Sequence, residues 1–438
     1  MKYGTEDLMS IILFCCSILL TVSGGEAPEK IMTSGPVVGR VTTDRIHVWC
    51  RVDAPDRQIV GVLLDERNQE VCRALRISSK LSDLTADLVF EDGVQAGQKY
   101  RYRIEVDGEV VADFKDQRIE TPSTGPEEVR LIFGSCASKK YVQGSGIWQV
   151  IADRNPHQMV FLGDTPYIDS TDLEKQRAAY REFWKYPGLD SLARSTAMAA
   201  TWDDHDYGLN DAVGEIRNRN RSRKAFLEYH AMGEVGDARG GGIYTRIQRG
   251  LVDVFLLDTR WYGNTAPSPL DSEQPTLLGE KQWEWLKKGL LDSAAPFKII
   301  SSGMIFNGSV RPGKKDHWMQ FPHERNGLLQ FIAENKITGV LIVTGDIHRC
   351  RHLSYPPQEG GGYPIDEWIS SPLGNSVIES ANVDHPALVF DAGEKGVFLS
   401  VEARGVDGDV ELWSRLVNLK GKTIHEKRYL ASELKPQP

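Results

Sequence analysis

Five short apolar runs in the later part of the chain each end in residues that bind cations or move protons. Residues 129–133 lead into Gly134-Ser135-Cys136, 159–162 into Gly163-Asp164, and 197–202 into Asp203-Asp204-His205-Asp206. Residues 252–257 lead into Asp258-Thr259-Arg260, and 339–344 into Gly345-Asp346-Ile347-His348. A single aspartate after a strand is usually a loop or helix-capping residue. Cys136, Asp164, Asp204, His205, Asp258, Asp346 and His348 together are different, because so many ionisable groups at one rim need a counter-charge. Carboxylates with imidazole suit hard or borderline cations, and two ions ~3.5–4 Å apart clamp a phosphoryl group for in-line displacement. The Asp346-x-His348 spacing predicts an extended segment presenting both side chains on one side.

The elements that must position these residues follow from the same pattern. Runs ending together in polar residues fit an α/β sheet whose site gathers outside the carboxyl ends of its strands. Helix-like stretches cover 173–184, 221–230, 280–291 and 325–335. The earlier part of the chain reads differently. Residues 46–52, 59–64 and 100–106 are short β-prone runs with turns such as Asp107-Gly108, which predict a small antiparallel, immunoglobulin-like sandwich. A linker of Thr, Pro, Ser and Gly at 121–126 separates the two regimes. The expected boundaries are therefore 31–121 for an N-terminal β domain and 129–435 for the larger domain. Residues 9–22 form an apolar run too short to span a bilayer, which needs ~20 residues. It reads as the core of a signal peptide over 1–25, although Lys2 is outnumbered by Glu6 and Asp7, and an uncleaved anchor is the competing reading. Export makes the protein secreted, periplasmic or cell-surface, with membrane contact only through that segment if it is kept.

Composition narrows the partners. The chain has 438 residues, 40% apolar, and a net charge of -9, which suits packed domains and argues against a stable nucleic-acid complex. A small phosphate ester held by cations is still compatible. Of the six cysteines, Cys50 and Cys72 either pair or are two separately buried thiols. Asn307-Gly308-Ser309 is a glycosylation sequon, relevant only in a eukaryotic source.

Phe133-Gly134-Ser135-Cys136-Ala137-Ser138, Gly163-Asp164-Thr165-Pro166-Tyr167, Trp202-Asp203-Asp204-His205-Asp206, Leu257-Asp258-Thr259-Arg260 and Gly345-Asp346-Ile347-His348 resemble, in order, the blocks of the alkaline phosphatase D (PhoD-like) family of metallophosphoesterases. Ser34-Gly35-Pro36-Val37-Val38-Gly39 and Val48-Trp49-Cys50-Arg51 resemble that family's N-terminal β domain. The resemblance implies an α/β metallophosphoesterase-like β-sandwich flanked by helices and preceded by a small all-β domain. It implies an exported hydrolase of phosphate esters acting by metal-activated hydroxide, with iron(III) and calcium as cofactors. Cys136 and Tyr167 then correspond to thiolate and phenolate ligands of iron, and Asp164 to a metal-bridging carboxylate. Asp204 is a ligand or orients one, and Asn210, Asp316, Asp346 and His348 complete the ligand set. His205 steadies or protonates the departing oxygen, and Arg223 and Arg260 are candidate phosphate clamps. Where ordinary metallophosphoesterases carry Asp-x-His, this chain has Gly134-Ser135-Cys136, as in the iron-and-calcium branch. Neither Ser135 nor Ser138 lies in a Gly-x-Ser-x-Gly elbow, so a serine nucleophile is disfavoured. Two alternatives stay open: diesters, of lipids or nucleotides, as the substrates, and a cell-surface binding protein with a vestigial site.

Overall fold

The computed structural model describes residues 30–237, 240–359 and 361–436. The expected signal peptide, with Cys15 and Cys16, lies outside them.

Strands such as Ala197–Thr201, Val252–Leu256, Phe297–Ser301 and Val340–Thr344 are buried at every residue. Runs rich in Val, Ile, Leu and Ala behave this way when a parallel sheet is covered on both faces. They belong to two mixed sheets. The first has the order Ala197–Thr201, Gln158–Leu162, Val129–Gly134, Val397–Val406, Asp409–Asn418 and Thr423–Leu430. Its first three strands are parallel and the rest antiparallel. The second has the order Thr245–Arg249, Val252–Leu256, Phe297–Ser301, Val340–Thr344, Ile365–Ile369, Cys350–Tyr355 and Leu388–Ala392. Its four middle strands are parallel and its edges antiparallel. Both sheets contribute to one hydrophobic core, in which Phe133, Val160, Val254, Ile300, Ile342 and Trp368 take part. At the carboxyl ends of the parallel strands, Ser370 Oγ donates to the Phe133 carbonyl at 2.8 Å, and Ser135 N to the Ser370 carbonyl at 3.2 Å. These bonds tie the two sheets together at one rim.

The longer helices are Leu173–Phe183, Arg219–Tyr229, Gly279–Asp292 and Pro322–Glu334, each within a few residues of its expected span. Asp172 caps the first by accepting the Lys175 amide at 3.0 Å. Pro322 opens the last, where its missing N–H leaves no bond unmade.

The earlier residues form two antiparallel sheets. Met32–Val41, Ile46–Val52 and Thr85–Phe90 make one, and Glu70–Ile77, Gln58–Leu64, Lys99–Val106, Glu109–Asp113 and Ile119–Glu120 the other. Val48, Ile59, Leu88 and Ile104 lie in a second hydrophobic cluster between them. This region is stitched to the rest by Trp49 Nε1, which donates to the Glu228 carbonyl at 2.7 Å, and by Tyr102, which donates to the Arg194 carbonyl at 2.9 Å. Cys50 and Cys72 stand on strands of different sheets and are free thiols. Asn307 is 3% exposed and spends its side-chain oxygen on the Ser309 amide at 3.0 Å, so the sequon is folded in.

Candidate metal centre

Three loops converge at the rim, and each turns abruptly as it leaves its strand. Cys136 (φ 59°), Asp164 (φ 54°), Asp346 (φ 73°) and His348 (φ 52°) all have left-handed backbones. Non-glycine residues pay of order 1–3 kcal/mol for sparsely populated conformations, and such strain clusters at functional sites. The Asp346-x-His348 segment is therefore bent, and period-two alternation does not describe it. What orients both residues is the left-handed turn, held by Ser135 Oγ accepting the Asp346 amide at 3.3 Å and Ser371 Oγ accepting the His348 amide at 3.0 Å. Gly163 lets the second of these loops approach a fourth, the one after Ala197–Thr201: a Cβ there would lie 2.3 Å from the Asp203 amide nitrogen.

The result is a nest of buried acids. Ligand atoms of Asp164, Asp203, Asp204 and Asp346 lie within 4.8 Å of one another, as do those of Asp164, Asp204 and His205, and of Asp204, Asp211 and Asp316. Cys136 is fully buried, with Sγ 3.6 Å from Asp164 Oδ2 and 3.4 Å from the Asp346 carbonyl. The Tyr167 hydroxyl pairs with His348 Nε2 at 2.8 Å, and its ring centroid lies 4.6 Å from that of His205. His205 Nδ1 meets Asp169 Oδ1 at 2.6 Å. Asp164, His205, Asn210, Asp346 and His348 line a cavity of about 250 Å³, joined by Arg311 and Lys314.

The charge balance tests whether a cation belongs here. Two cations, Arg260 and Lys314, face five buried carboxylates, those of Asp164, Asp203, Asp204, Asp316 and Asp346. Burial drives the Asp164 and Asp203 carboxyls well above their usual range, with neighbouring acids adding to it at Asp164 and Arg260 opposing it at Asp203. Burial also raises Asp346, to about 6, against the pull of Lys314. At Asp204 and Asp316 burial is outweighed by Arg260 and Lys314, which hold both below the ordinary carboxylate range. The Cys136 thiol is pushed well up by burial, then by Asp164 and Asp346. The Tyr167 phenol is pushed up by burial, then by Cys136 and Asp164. Groups so reluctant to ionise alone are those that a cation deprotonates on binding. The donor set of carboxylates, imidazole, thiol and phenol fits that requirement.

Most of the expected residues meet here: Cys136, Asp164, Tyr167, Asp204, His205, Asp346 and His348, with Asp316 joined through Lys314 and exposed Asn210 on the cavity wall. The arginines depart from expectation. Arg260 is fully buried, its Nε donating to Asp203 Oδ1 at 2.6 Å and its Nη1 2.7 Å from Asp316 Oδ2. It holds carboxylates together and offers no open face to a phosphate. Arg223 donates to the Gly242 carbonyl at 2.9 Å and lines a different hollow, beside Trp49 and Leu227. Asp258 is also set aside, because it accepts from Trp202 Nε1 and from the amides of Ile243, Arg260 and Trp261. Sequence reasoning missed Lys314, whose Nζ lies 2.9 Å from both Asp316 and Asp346, and Asp169, the partner of His205. Their signals were faint: a lysine two residues before Asp316, and a second aspartate five after Asp164.

Residues 131–405 match the family model of PhoD-like phosphatase. The chain is 25% identical over 378 residues to alkaline phosphatase D of Bacillus subtilis, covering 72% of this chain and 64% of that protein. It thus spans less than two thirds of the length of that curated relative. Its fold is similar to a structure of PhoD, with a TM-score of 0.75, 16% identity, and coverage of 94% of this chain and 93% of the other. It is also similar to a purple acid phosphatase from yellow lupin (Lupinus luteus) seeds, with a TM-score of 0.69, 11% identity, and coverage of 90% and 74%. The mixed α/β architecture of these proteins is the one described above. The family match covers well over half of the residues, and the chain belongs to the PhoD-like phosphatase family.

Proposed function

We propose that this protein hydrolyses small phosphate esters at a metal centre on the rim of its sheets. The reading rests on the buried convergence of Asp164, Asp203, Asp204 and Asp346 with Cys136 beside them. Cations bound there would polarise the phosphoryl group and activate water for attack. Cys136, Asp164, Tyr167, Asp204, Asn210, Asp316, Asp346 and His348 are the residues proposed to hold them. The thiol and phenol favour iron(III), and the oxygen donors suit calcium. His205 protonates the leaving oxygen. Asp169 fixes its ring through Nδ1 at 2.6 Å and leaves Nε2 for the transfer. Arg311, which lines the cavity and pairs with no carboxylate among the described residues, replaces Arg223 and Arg260 as the group that neutralises the phosphate, while Lys314 stays bound to Asp316 and Asp346. No serine ester is required.

The test pairs elemental analysis of the purified protein with turnover of an aryl monophosphate and a bis-aryl phosphate. Bound iron and calcium are expected, with turnover lost on chelation and in Asp164→Asn. Undiminished turnover in either case refutes the proposal, and the ratio of the two rates assigns monoester or diester preference. We also propose export through residues 1–25. Protein recovered outside the cytoplasm should begin beyond residue 25, and an intact Met1 in the cytoplasm would refute this.

A further inference from the structure

A second cavity, of about 440 Å³, lies at the other ends of the strands that carry the metal centre. Gln158 opens the strand Gln158–Leu162 that leads to Asp164, and Met198 and Ala199 lie early in Ala197–Thr201, which leads to Asp203 and Asp204; all three residues line the cavity. Five residues at ~3.3 Å each place it roughly 17 Å from the acids, so a molecule held here does not touch the reacting groups. The volume falls within the ~300–1,000 Å³ typical of small-molecule sites.

The walls specify the chemistry of an occupant. Val41, Met198, Ala199, Met232 and Ile247 supply apolar surface, and the two methionines can adapt to an irregular shape. Arg40 and Arg246 bring positive charge, but in different states. Arg246 is ion-paired with Asp253 and stacks over Phe255, with its guanidinium 5.1 Å from the ring centroid. Arg40 donates Nη1 to Thr245 Oγ1 at 3.1 Å, and no carboxylate pairs with it among the described residues. Burial lowers its pKa, with nearby Glu234 acting in opposition, as expected of a guanidinium that lacks a close counter-ion. Gly233 leaves room for its stem, since a Cβ there would lie 3.1 Å from Arg40 Cδ. Asp253 and Asp292 also line the cavity, so one uncommitted cation faces a partly acidic wall. That balance accommodates a single negative charge and disfavours a dianion such as a phosphate monoester.

We propose that this cavity binds a small organic carboxylate with an apolar body, its carboxylate on Arg40 and its body against Met198, Ala199 and Met232. The proposal is independent of what the metal centre hydrolyses. The experiment uses the protein as isolated, with inorganic phosphate added to saturate the metal centre. Benzoate, phenylacetate and hexanoate are titrated calorimetrically, beside benzamide as the neutral analogue and phenyl phosphate as the dianion. At least one carboxylate should bind with one-to-one stoichiometry, unaffected by phosphate, and benzamide should bind about tenfold or more weakly. Arg40→Gln should weaken the carboxylate by a similar factor and leave phosphoester turnover unchanged. In protein labelled at methionine methyls, the bound probe should show nuclear Overhauser contacts to Met198 and Met232, a readout that stands even if the variant folds poorly. Absence of binding, competition by phosphate, equal binding by Arg40→Gln, or preference for phenyl phosphate would each overturn the proposal.

Discussion

Asp169→Asn isolates the part played by the carboxylate behind His205. Asp169 Oδ1 lies 2.6 Å from His205 Nδ1, and the Asp169 side chain is 53% exposed. A hydrogen bond to a charged group contributes about 1.5–3 kcal/mol, and exposure puts this one at the lower end, about 1.5 kcal/mol or roughly tenfold in rate. The substitution is local for two reasons. The amides of Ile168 and Asp169 both donate to the His205 carbonyl, at 3.0 and 2.9 Å, so the loop keeps its register without the carboxylate. Asp169 is left-handed at φ 54°, a conformation asparagine also adopts readily. The assay is kcat/KM over aryl and alkyl phosphates of graded leaving-group basicity. A nitrophenolate departs without a proton, so its rate should hardly change. Alkyl leaving groups need the proton, and their rates should fall about tenfold. Metal content should match the parent protein. An equal loss on every substrate, or none on any, would refute the assignment of His205 as proton donor and Asp169 as its positioning residue.

Three other perturbations follow from buried groups. Arg260→Met leaves Asp203 and Asp316 without their shared cation, and should destabilise the metal-depleted protein by about 3–5 kcal/mol in urea unfolding. A loss under ~1 kcal/mol would mean that Lys314 alone suffices. His230 is buried against Phe226, Tyr180 and Trp184, and burial lowers its pKa to about 4. The fold holds the neutral ring, so the unfolded chain takes up the proton first. Stability that is complete above pH ~6.5 should drain by about 3 kcal/mol as the pH falls to ~4. His230→Phe should flatten that slope in a pH series of denaturant midpoints, and an unchanged slope would place the titration elsewhere. Because Asn307 is buried, a glycan there is incompatible with the fold, so folded protein from a glycosylating host should carry none at this sequon, as intact mass will show.

The regular elements were legible because burial on both faces leaves a plain mark. Runs such as Val340–Thr344 admit few readings other than a covered strand, and the residue after each run announced the rim. The donors were legible by type, since Cys136, Asp164 and Asp204 lie within three residues of strand ends. What the sequence hid was pairing across distance. Arg260 has the residue type of a phosphate clamp, and only the fold shows its guanidinium between Asp203 and Asp316, far away along the chain. Lys314 lies on a loop with no periodicity to flag it, and its importance comes from the two aspartates it meets. The bend at Asp346 was hidden for another reason. Side-chain alternation is a property of extended backbone, and nothing in Gly-Asp-Ile-His states that φ turns positive at its second and fourth residues.

Those positive φ angles bear on how this rim tolerates mutational drift. Glycine, asparagine and aspartate enter the left-handed region at modest cost, while β-branched residues do so only with difficulty. Cys136, Asp164, Asp346 and His348 are thus constrained twice, once by what their side chains donate and once by where their backbones turn. A library that preserves ligand chemistry while ignoring φ will be poorer in folded members than one that offers asparagine or glycine at the same sites. Loss of catalysis without loss of fold is therefore easiest to obtain at Asp164 and Asp346 by exchange to asparagine.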